Sequence, residues 1–151
     1  MSSLLTAELL LNIGKSAPPR KELVTRRDIR KYSVATEQRL EKYLNGSEAP
    51  PMFHIALFWD VVEQDKLIED GLSIDTLLPE FPLKRAMAGG WKIDYHRPIY
   101  PGDELVSSRT LTDIYEKSGS SGPLIFYEIT TNIETDSGEP VLTEKITRIL
   151  R

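Results

Sequence analysis

The chain has 151 residues, of which 40% are hydrophobic and 28% are charged, and it contains no cysteine. This size suits one domain, and the composition excludes a disordered chain, which would carry fewer apolar residues and more unbalanced charge. A net charge of −4 provides no basic surface for a nucleic-acid backbone, and the lack of cysteine excludes disulfides and cysteine-ligated zinc.

The leucine-rich N-terminus is interpreted as part of the fold rather than as an export signal. Glu8 separates Leu4-Leu5 from Leu9-Leu10-Leu11, and no basic segment precedes them. No stretch approaches the roughly 20 apolar residues that a membrane span requires. We therefore expect a cytoplasmic protein that does not enter the membrane, and we interpret the glycosylation sequon Asn45-Gly46-Ser47 as a turn.

One amphipathic helix is predicted near residue 26. Thr25 offers a side-chain oxygen as the N-cap, and Asp28 places a negative charge in the first turn. These signals predict a helix of about ten residues that begins near Arg26. Its inward-facing residues, at helical spacings, are expected to be Ile29, Tyr32 and Ser33; the alternative is a helix that lies on the surface.

A second helix is predicted after Pro50-Pro51. The segment Phe53–Val62 is apolar almost all the way round a helical wheel, whereas a helix on the surface would show a single apolar stripe. The pattern predicts a central helix that other structure encloses on most sides and that stops near Gly71, after the polar residues 63–66.

Strands are predicted throughout the second half of the chain. The third of them alternates between two sets of side chains with a period of two and is rich in β-branched and aromatic residues. Glycine-rich and proline-rich turns separate the segments, so we expect an antiparallel meander. The four predicted strands are residues 84–96, 104–115, 123–134 and 140–150.

A central apolar helix followed by a long antiparallel sheet indicates an α+β domain in which the sheet wraps around the helix. This is the hot-dog architecture, and we expect residues 1–151 to form one such domain.

Five segments, in order along the chain, resemble the N-terminal dehydratase domain of the MaoC-like dehydratase superfamily, the type found in fungal fatty-acid synthases. The resemblance implies a hot-dog fold over nearly the whole chain and a CoA thioester as substrate or ligand. It also implies hydration of a trans-2-enoyl-CoA or the reverse dehydration. The matching segments are 24–32 (VTRRDIRKY), 49–53 (APPMF), 86–90 (AMAGG), 96–103 (HRPIYPGD) and 138–139 (GE).

The resemblance also indicates that the usual catalytic pair is missing. Active members of the superfamily carry an Asp and a His in a D-x-N-P-x-H loop after the first helix, and the corresponding residues here are Gln38, Leu40, Glu41 and Tyr43. Glutamine cannot exchange a proton near neutral pH, and tyrosine is a poor base there. The chain is therefore expected to be an accessory subunit. A catalytic MaoC-like hot-dog partner would supply the pair, because no second hot-dog follows in this sequence.

Two histidines are weak candidates for catalysis. His54 lies on the predicted central helix, where a histidine hydrogen-bonded in the core or at an interface is the simpler explanation. His96 ends a predicted strand, and a structural role at the rim of the site is the simpler explanation there. Asp103, in Pro101-Gly102-Asp103, is interpreted as a turn residue that binds backbone amides.

Other residues are candidates for contact with CoA. Gly89-Gly90 inside a predicted strand indicates either a β-bulge or a close approach of a ligand or another chain. Trp91 is expected on the same strand face as Ile93 and Tyr95, packed on the helix. Basic residues could meet the CoA phosphates, although solvated surface is the simpler role for each. The CoA candidates are Gly89, Gly90, Trp91, Arg97 and Phe53, with Lys92 and Arg85 as further basic residues.

We expect no metal and no cofactor, because the chain has two histidines and no cysteine. Two other functions remain open. The chain could be a self-sufficient homodimer, either a hydratase with relocated catalytic groups or an acyl-CoA thioesterase. It could also bind or sense acyl thioesters without any chemistry.

Overall fold

A computed structural model describes residues 3–69 and 71–151. It contains short helices and one five-stranded antiparallel sheet. The helices are α1 (Ala7–Leu10), α2 (Arg26–Ala35), α3 (Glu41–Leu44), α4 (Phe53–Leu57) and a 3-10 turn at Gln64–Lys66. The strands are β1 (Arg20–Leu23), β2 (Ala86–Tyr95), β3 (Glu104–Gly119), β4 (Gly122–Thr135) and β5 (Pro140–Leu150).

The helix that the N-cap signal predicted is present as α2. The Thr25 side chain accepts a hydrogen bond from the Asp28 backbone N–H at 3.1 Å, which satisfies one of the free amides of the first turn. Ile29 and Ser33 are buried, and Tyr32 is half-buried. The expected inner face of this helix is therefore confirmed.

The prediction of a long central helix is wrong in its length. Helix α4 ends at Leu57, and beyond it Trp59 is 60% exposed and Val61 fully exposed. A contact distant in sequence explains the early end: Arg20 donates to the Phe58 carbonyl at 2.8 Å and to Asp60 Oδ1 at 2.7 Å. These bonds draw the chain towards β1 instead of continuing the helix.

The sheet has the strand order β1-β3-β4-β5-β2, with every neighbouring pair antiparallel. Strands β3, β4 and β5 form the predicted meander. The predicted meander is wrong at its first strand, because β2 pairs with β5 and not with β3. β1 is a fifth strand that the sequence pattern did not reveal, since it is only four residues long and too short to show an alternation.

Two hydrophobic clusters lie on the face of the sheet that carries the helices. Strands β3, β4 and β5 contribute residues to both clusters, whereas each helix or loop that packs on the sheet contributes to only one of them. The first cluster includes Leu9, Leu77, Phe81, Leu111, Ile129 and Leu150. The second includes Ile29, Phe53, Leu105, Ile133 and Leu142.

A row of polar side chains separates the two clusters. Arg109 lies opposite Thr131, and Thr131 lies opposite Glu144, so the three side chains share one face of the sheet. Thr131 and Glu144 are buried at 6% and 5% exposure. Because burial of polar groups is costly unless they are hydrogen-bonded, this row is a place to look for function.

Candidate functional site beside the edge strand

Strand β2 lies at one edge of the sheet, and most of its residues are exposed. The His96 backbone N–H donates to the Val141 carbonyl at 2.8 Å, so alternate residues before it face away from β5. The backbone polar groups of Trp91, Ile93 and Tyr95 therefore point to the open edge. Such an edge is a template for pairing with another strand.

A β-bulge interrupts β2 at its two glycines. Ala88 pairs with Arg148 and Gly90 with Thr147, which leaves Gly89 as the extra residue. A Cβ at Gly89 would lie 2.9 Å from Ile149 Cγ1, whereas a Cβ at Gly90 would meet nothing closer than 4.0 Å. The bulge explains Gly89. Contact of either glycine with CoA stays a prediction.

His54 forms a buried polar cluster with two residues of the sheet. Its Nε2 lies 2.8 Å from Glu144 Oε2, and the Trp91 indole N–H donates to the same oxygen at 2.7 Å. The exposed fractions of His54 and Glu144 are 3% and 5%. Helix α4, β5 and β2 thus meet at one carboxylate, and the pairing orients the imidazole ring.

The second ring nitrogen of His54, Nδ1, is buried and makes no hydrogen bond within the described residues. With Nε2 facing a carboxylate, an imidazole can offer its other nitrogen to a proton donor or acceptor. Among the described residues, His54 and Glu144 are also the only histidine and carboxylate that lie within ion-pair distance of each other.

The start of α4 is held by the end of β2. Met52, the residue before α4, has a left-handed φ of 69°, which is strained for a side chain of this kind. Its backbone N–H donates to the Tyr95 hydroxyl at 3.1 Å. The next residue, Phe53, packs edge-to-face on Tyr32 with ring centroids 5.6 Å apart, and burial raises the pKa of Tyr32. Phe53 is thus a core residue in this chain, and any contact of it with CoA remains a prediction.

A cavity of about 330 Å³ opens at the end of β2. It brings together Tyr43, His96 and Arg97, which the sequence placed in separate motifs. Tyr95 and the Pro50-Pro51 pair provide flat, apolar walls. Cavities of this size accept part of a cofactor-sized ligand.

Arg97 is largely committed to the fold around this cavity. Its guanidinium donates to both carboxylate oxygens of Asp103 at 3.0 Å and to the Pro98 carbonyl at 2.7 Å, and its hydrogen bonds with Asp103 raise the pKa of Arg97. Arg97 Nε lies 3.2 Å from Glu139 Oε2 without the alignment of a hydrogen bond. Asp103 also accepts from the Tyr100 N–H at 2.8 Å, as expected for the turn. The role of Arg97 towards CoA stays a prediction.

The residues expected in place of the catalytic pair do not form a proton-transfer couple with each other in the described contacts. Gln38 donates to the Thr36 hydroxyl at 3.3 Å, and the ring of Tyr43 lies beneath the Lys42 ammonium at 5.0 Å. His96 Nε2 lies 3.2 Å from the Thr143 hydroxyl and is exposed.

Sequence reasoning singled out His54 and Trp91 but missed Glu144, which joins them. The signal was present, because Glu144 stands two residues from Leu142 and two from Ile146, at an inward position of an alternating strand. Its partner His54 is 90 positions away, so no local pattern connects the two.

A second cavity, of about 500 Å³, lies between β1, β3 and the segments 60–66 and 73–76. Arg20, Ser107 and Arg109 line it from the sheet, with Ser107 opposite Arg20 and two residues before Arg109. Sequence analysis did not single out these residues.

Two further observations concern the described ranges 3–69 and 71–151. No helix in them is both long and apolar enough to cross a membrane. They also contain no group of three or more His, Cys, Asp or Glu side chains placed to hold a metal ion.

Residues 12–144 match the family model for the FAS1-like dehydratase domain region. The chain therefore belongs to this family of MaoC-like dehydratase domains, as the resemblance implied.

Two relatives of known sequence illustrate the membership. Mesaconyl-C(4)-CoA hydratase from Chloroflexus aurantiacus is 32% identical over 84 residues, which are 55% of this chain but only 30% of the hydratase. The UPF0336 protein from Saccharopolyspora erythraea is 28% identical over 152 aligned positions, covering 92% of this chain and 88% of that protein.

Solved structures confirm the hot-dog fold. A chain of the ChsH1-ChsH2 complex from Mycobacterium tuberculosis superimposes with a TM-score of 0.70 at 16% identity, covering 95% of this chain and 87% of that one. The MaoC-like dehydratase from Phytophthora capsici gives 0.66 at 20% identity, covering 97% of this chain and 50% of that one. The R-hydratase PhaJ1 from Pseudomonas aeruginosa gives 0.60 at 17% identity, covering 91% and 81%.

Proposed function

We propose that this chain is the acyl-CoA-binding, non-catalytic subunit of a two-component (R)-specific enoyl-CoA hydratase or dehydratase. The observation that carries the proposal is the open edge of β2, which lies beside the cavity of Tyr43, His96 and Arg97. A partner strand at this edge would place a second hot-dog domain against that cavity. Family membership supports the reaction class, and two structurally similar chains come from complexes of Mycobacterium tuberculosis, ChsH1-ChsH2 and HadBC.

The cavity supports a role in holding CoA. Tyr43 and Tyr95 offer aromatic faces, and the neighbouring prolines offer apolar surface, which suits the adenine ring or the pantetheine arm. Gln38 and Tyr43 do not supply an acid–base pair. The catalytic Asp and His therefore come from the partner in this proposal.

The test is to assay hydration of crotonyl-CoA by the purified chain, by a catalytic MaoC-type hot-dog subunit from the same genome, and by their mixture. We expect no activity from this chain alone and a stable complex whose activity exceeds that of the partner. Full activity of the chain alone, or no complex with any such subunit, contradicts the proposal.

A matched pair of variants tests the edge itself. Because the Ile93 N–H faces away from β5, Ile93→Pro removes a donor at the open edge without removing a bond to β5. Ile93→Ala loses the same side-chain packing but keeps the N–H. We expect Ile93→Pro to lose the partner and Ile93→Ala to retain it. Equal binding by the two variants contradicts pairing at β2.

A second candidate function is a self-sufficient homodimeric hydratase or thioesterase, and the His54–Glu144 contact favours it. A carboxylate that orients an imidazole is a common arrangement for a general base. If this function is correct, the chain alone is active, and Glu144→Gln lowers kcat by at least tenfold while the fold is retained. Activity that does not depend on His54 or Glu144 contradicts this candidate.

A further inference from the structure

The cavity of about 500 Å³ between β1, β3 and the segments 60–66 and 73–76 has two arginines on its sheet side. Arg20 lies opposite Ser107 on the neighbouring strand, and Arg109 is two residues further along that strand. All three side chains therefore share one face of the sheet. This face carries the hydrophobic clusters, where Leu105 and Leu111 on the same strand are fully buried. Two arginines at inward positions break the apolar pattern, as functional sites commonly do.

Each arginine already binds a carboxylate of the chain, in the way that it would bind one from a ligand. Arg109 Nη2 donates to Asp75 Oδ2 at 2.6 Å, and Arg20 Nη1 donates to Asp60 Oδ1 at 2.7 Å. The carboxylates are 29% and 47% exposed, and the arginines 37% and 40%. A solvated ion pair such as Arg20–Asp60 contributes little to stability. Arg109 holds both oxygens of Asp75, because its Nη1 also donates to Oδ1 at 3.4 Å, so a ligand carboxylate has to displace Asp75 there.

The arginines also have donors beyond those bonds. A guanidinium carries five N–H groups, and the described contacts of Arg20 use only Nη1 in hydrogen bonds. Ser107, which lies opposite Arg20 and two residues before Arg109, is 5% exposed. Residues diagonal to one another on neighbouring strands lie about 7–8 Å apart. One carboxylate between the two side chains can therefore accept from both.

Part of the remaining cavity wall is apolar, and the other part is formed by polar side chains that include Lys66, Ser73 and Thr76. Ala17, Pro18, Val62 and Ile74 contribute to its lining, and its volume lies within the range that holds small ligands. A purely apolar acyl chain would cover the N–H donors that the arginines do not use for Asp60 and Asp75, and would offer those donors no acceptor in place of water. A carboxylate at the end of an apolar chain satisfies both parts of the lining.

We infer that this cavity binds a carboxylate carried by an apolar chain, with Arg20 and Arg109 as its donors. The carboxylate has two possible sources, a free fatty acid and the distal carboxyl group of an acyl-CoA. The acyl-CoA source rests on the proposed function, and the free-acid source does not.

Calorimetric titration of the full chain with decanoate, and with decan-1-ol as the uncharged control, tests the inference. We expect decanoate to bind and decan-1-ol to bind at least about tenfold more weakly, since hydrogen bonds to charged groups are the stronger kind. Arg109→Met and Arg20→Met should each weaken decanoate binding about tenfold or more, whereas Arg27→Met, which removes an exposed arginine on α2, should not. Equal binding of decanoate and decan-1-ol overturns the inference.

Asp75→Asn distinguishes recognition from a merely structural role of the arginine. This variant removes the negative charge that competes for Arg109, and the asparagine side chain has nearly the same shape as that of aspartate. Decanoate should therefore bind several-fold more tightly to the variant than to the unchanged chain. A structural role predicts no gain. Unchanged or weaker binding by Asp75→Asn overturns the inference even if Arg109→Met does not fold.

Decanedioyl-CoA and decanoyl-CoA separate the two sources. If the carboxylate belongs to an acyl-CoA, the first ester binds more tightly and Arg109→Met removes the difference. If it belongs to a free acid, decanoate binds while the two esters do not differ. Both results support carboxylate recognition, and binding of neither carboxylate overturns it. The titrations use this chain alone, so failure to find a catalytic partner leaves their outcome unaffected.

Discussion

Replacement of His54 by leucine is expected to destabilise the protein strongly. His54→Leu leaves the carboxylate of Glu144, which is 5% exposed, with the Trp91 indole N–H as its remaining partner in the cluster. Loss of one member of a buried pair costs about 3–5 kcal/mol, a large part of the roughly 5–15 kcal/mol that stabilises a typical domain. For a chain of this length the melting temperature should fall by about 6–20 °C.

The decisive measurement is a double-mutant cycle by urea unfolding at neutral pH. His54→Leu combined with Glu144→Met replaces both polar groups by apolar ones of similar size, and we expect the unfolding free energy to return to within about 2 kcal/mol of the original. Trp91→Phe, which removes a single hydrogen bond, should cost about 1 kcal/mol. If the losses of unfolding free energy in the two single variants simply add in the double variant, His54 and Glu144 are not energetically coupled, which contradicts the prediction.

Three other predictions concern stability alone. Gly89→Ala should lower the melting temperature because its Cβ would lie 2.9 Å from Ile149 Cγ1, whereas Gly90→Ala, with no contact below 4.0 Å, should leave it unchanged; equal effects would refute the bulge argument. Arg97→Met should cost about 2–3 kcal/mol by urea unfolding, through loss of the paired hydrogen bonds to Asp103, and a loss below 0.5 kcal/mol would contradict this. Burial raises the pKa of Tyr127, so the folded state holds the proton more tightly; the resulting stability is complete below pH about 10 and declines above it. Tyr127→Phe should flatten that alkaline decline, and an unchanged slope would count against it.

Local patterns were sufficient for much of the fold. The alternation in β4 and the turn residues on either side of it predicted the β3-β4-β5 meander, because these strands pair with their neighbours in sequence. The N-cap at Thr25 predicted α2 for the same reason, since cap and helix are adjacent. The length of α4 could not be predicted, because it depends on a contact between Arg20 and Phe58 that spans 38 positions.

The candidate site shows the same division between local and distant causes. His54, His96 and Trp91 were singled out by residue type and neighbours. Glu144 was missed, because an inward acidic residue gains meaning only with its partner on α4. The position of β2 beside β5 is likewise a matter of tertiary pairing, and it determines which residues share the cavity at the strand end.

The polar row from Arg109 to Glu144 has a consequence for how the molecule opens. It divides the apolar interior, so that α1 and residues 77–83 cover one cluster while α2 and α4 cover the other. Elements that pack on the same sheet but not on each other can unfold separately, because local unfolding follows contiguous packed units. The segments packed on the two clusters should therefore unfold independently of each other. Hydrogen exchange should give each set of segments its own opening free energy, while the amides of β4 stay protected during both local openings.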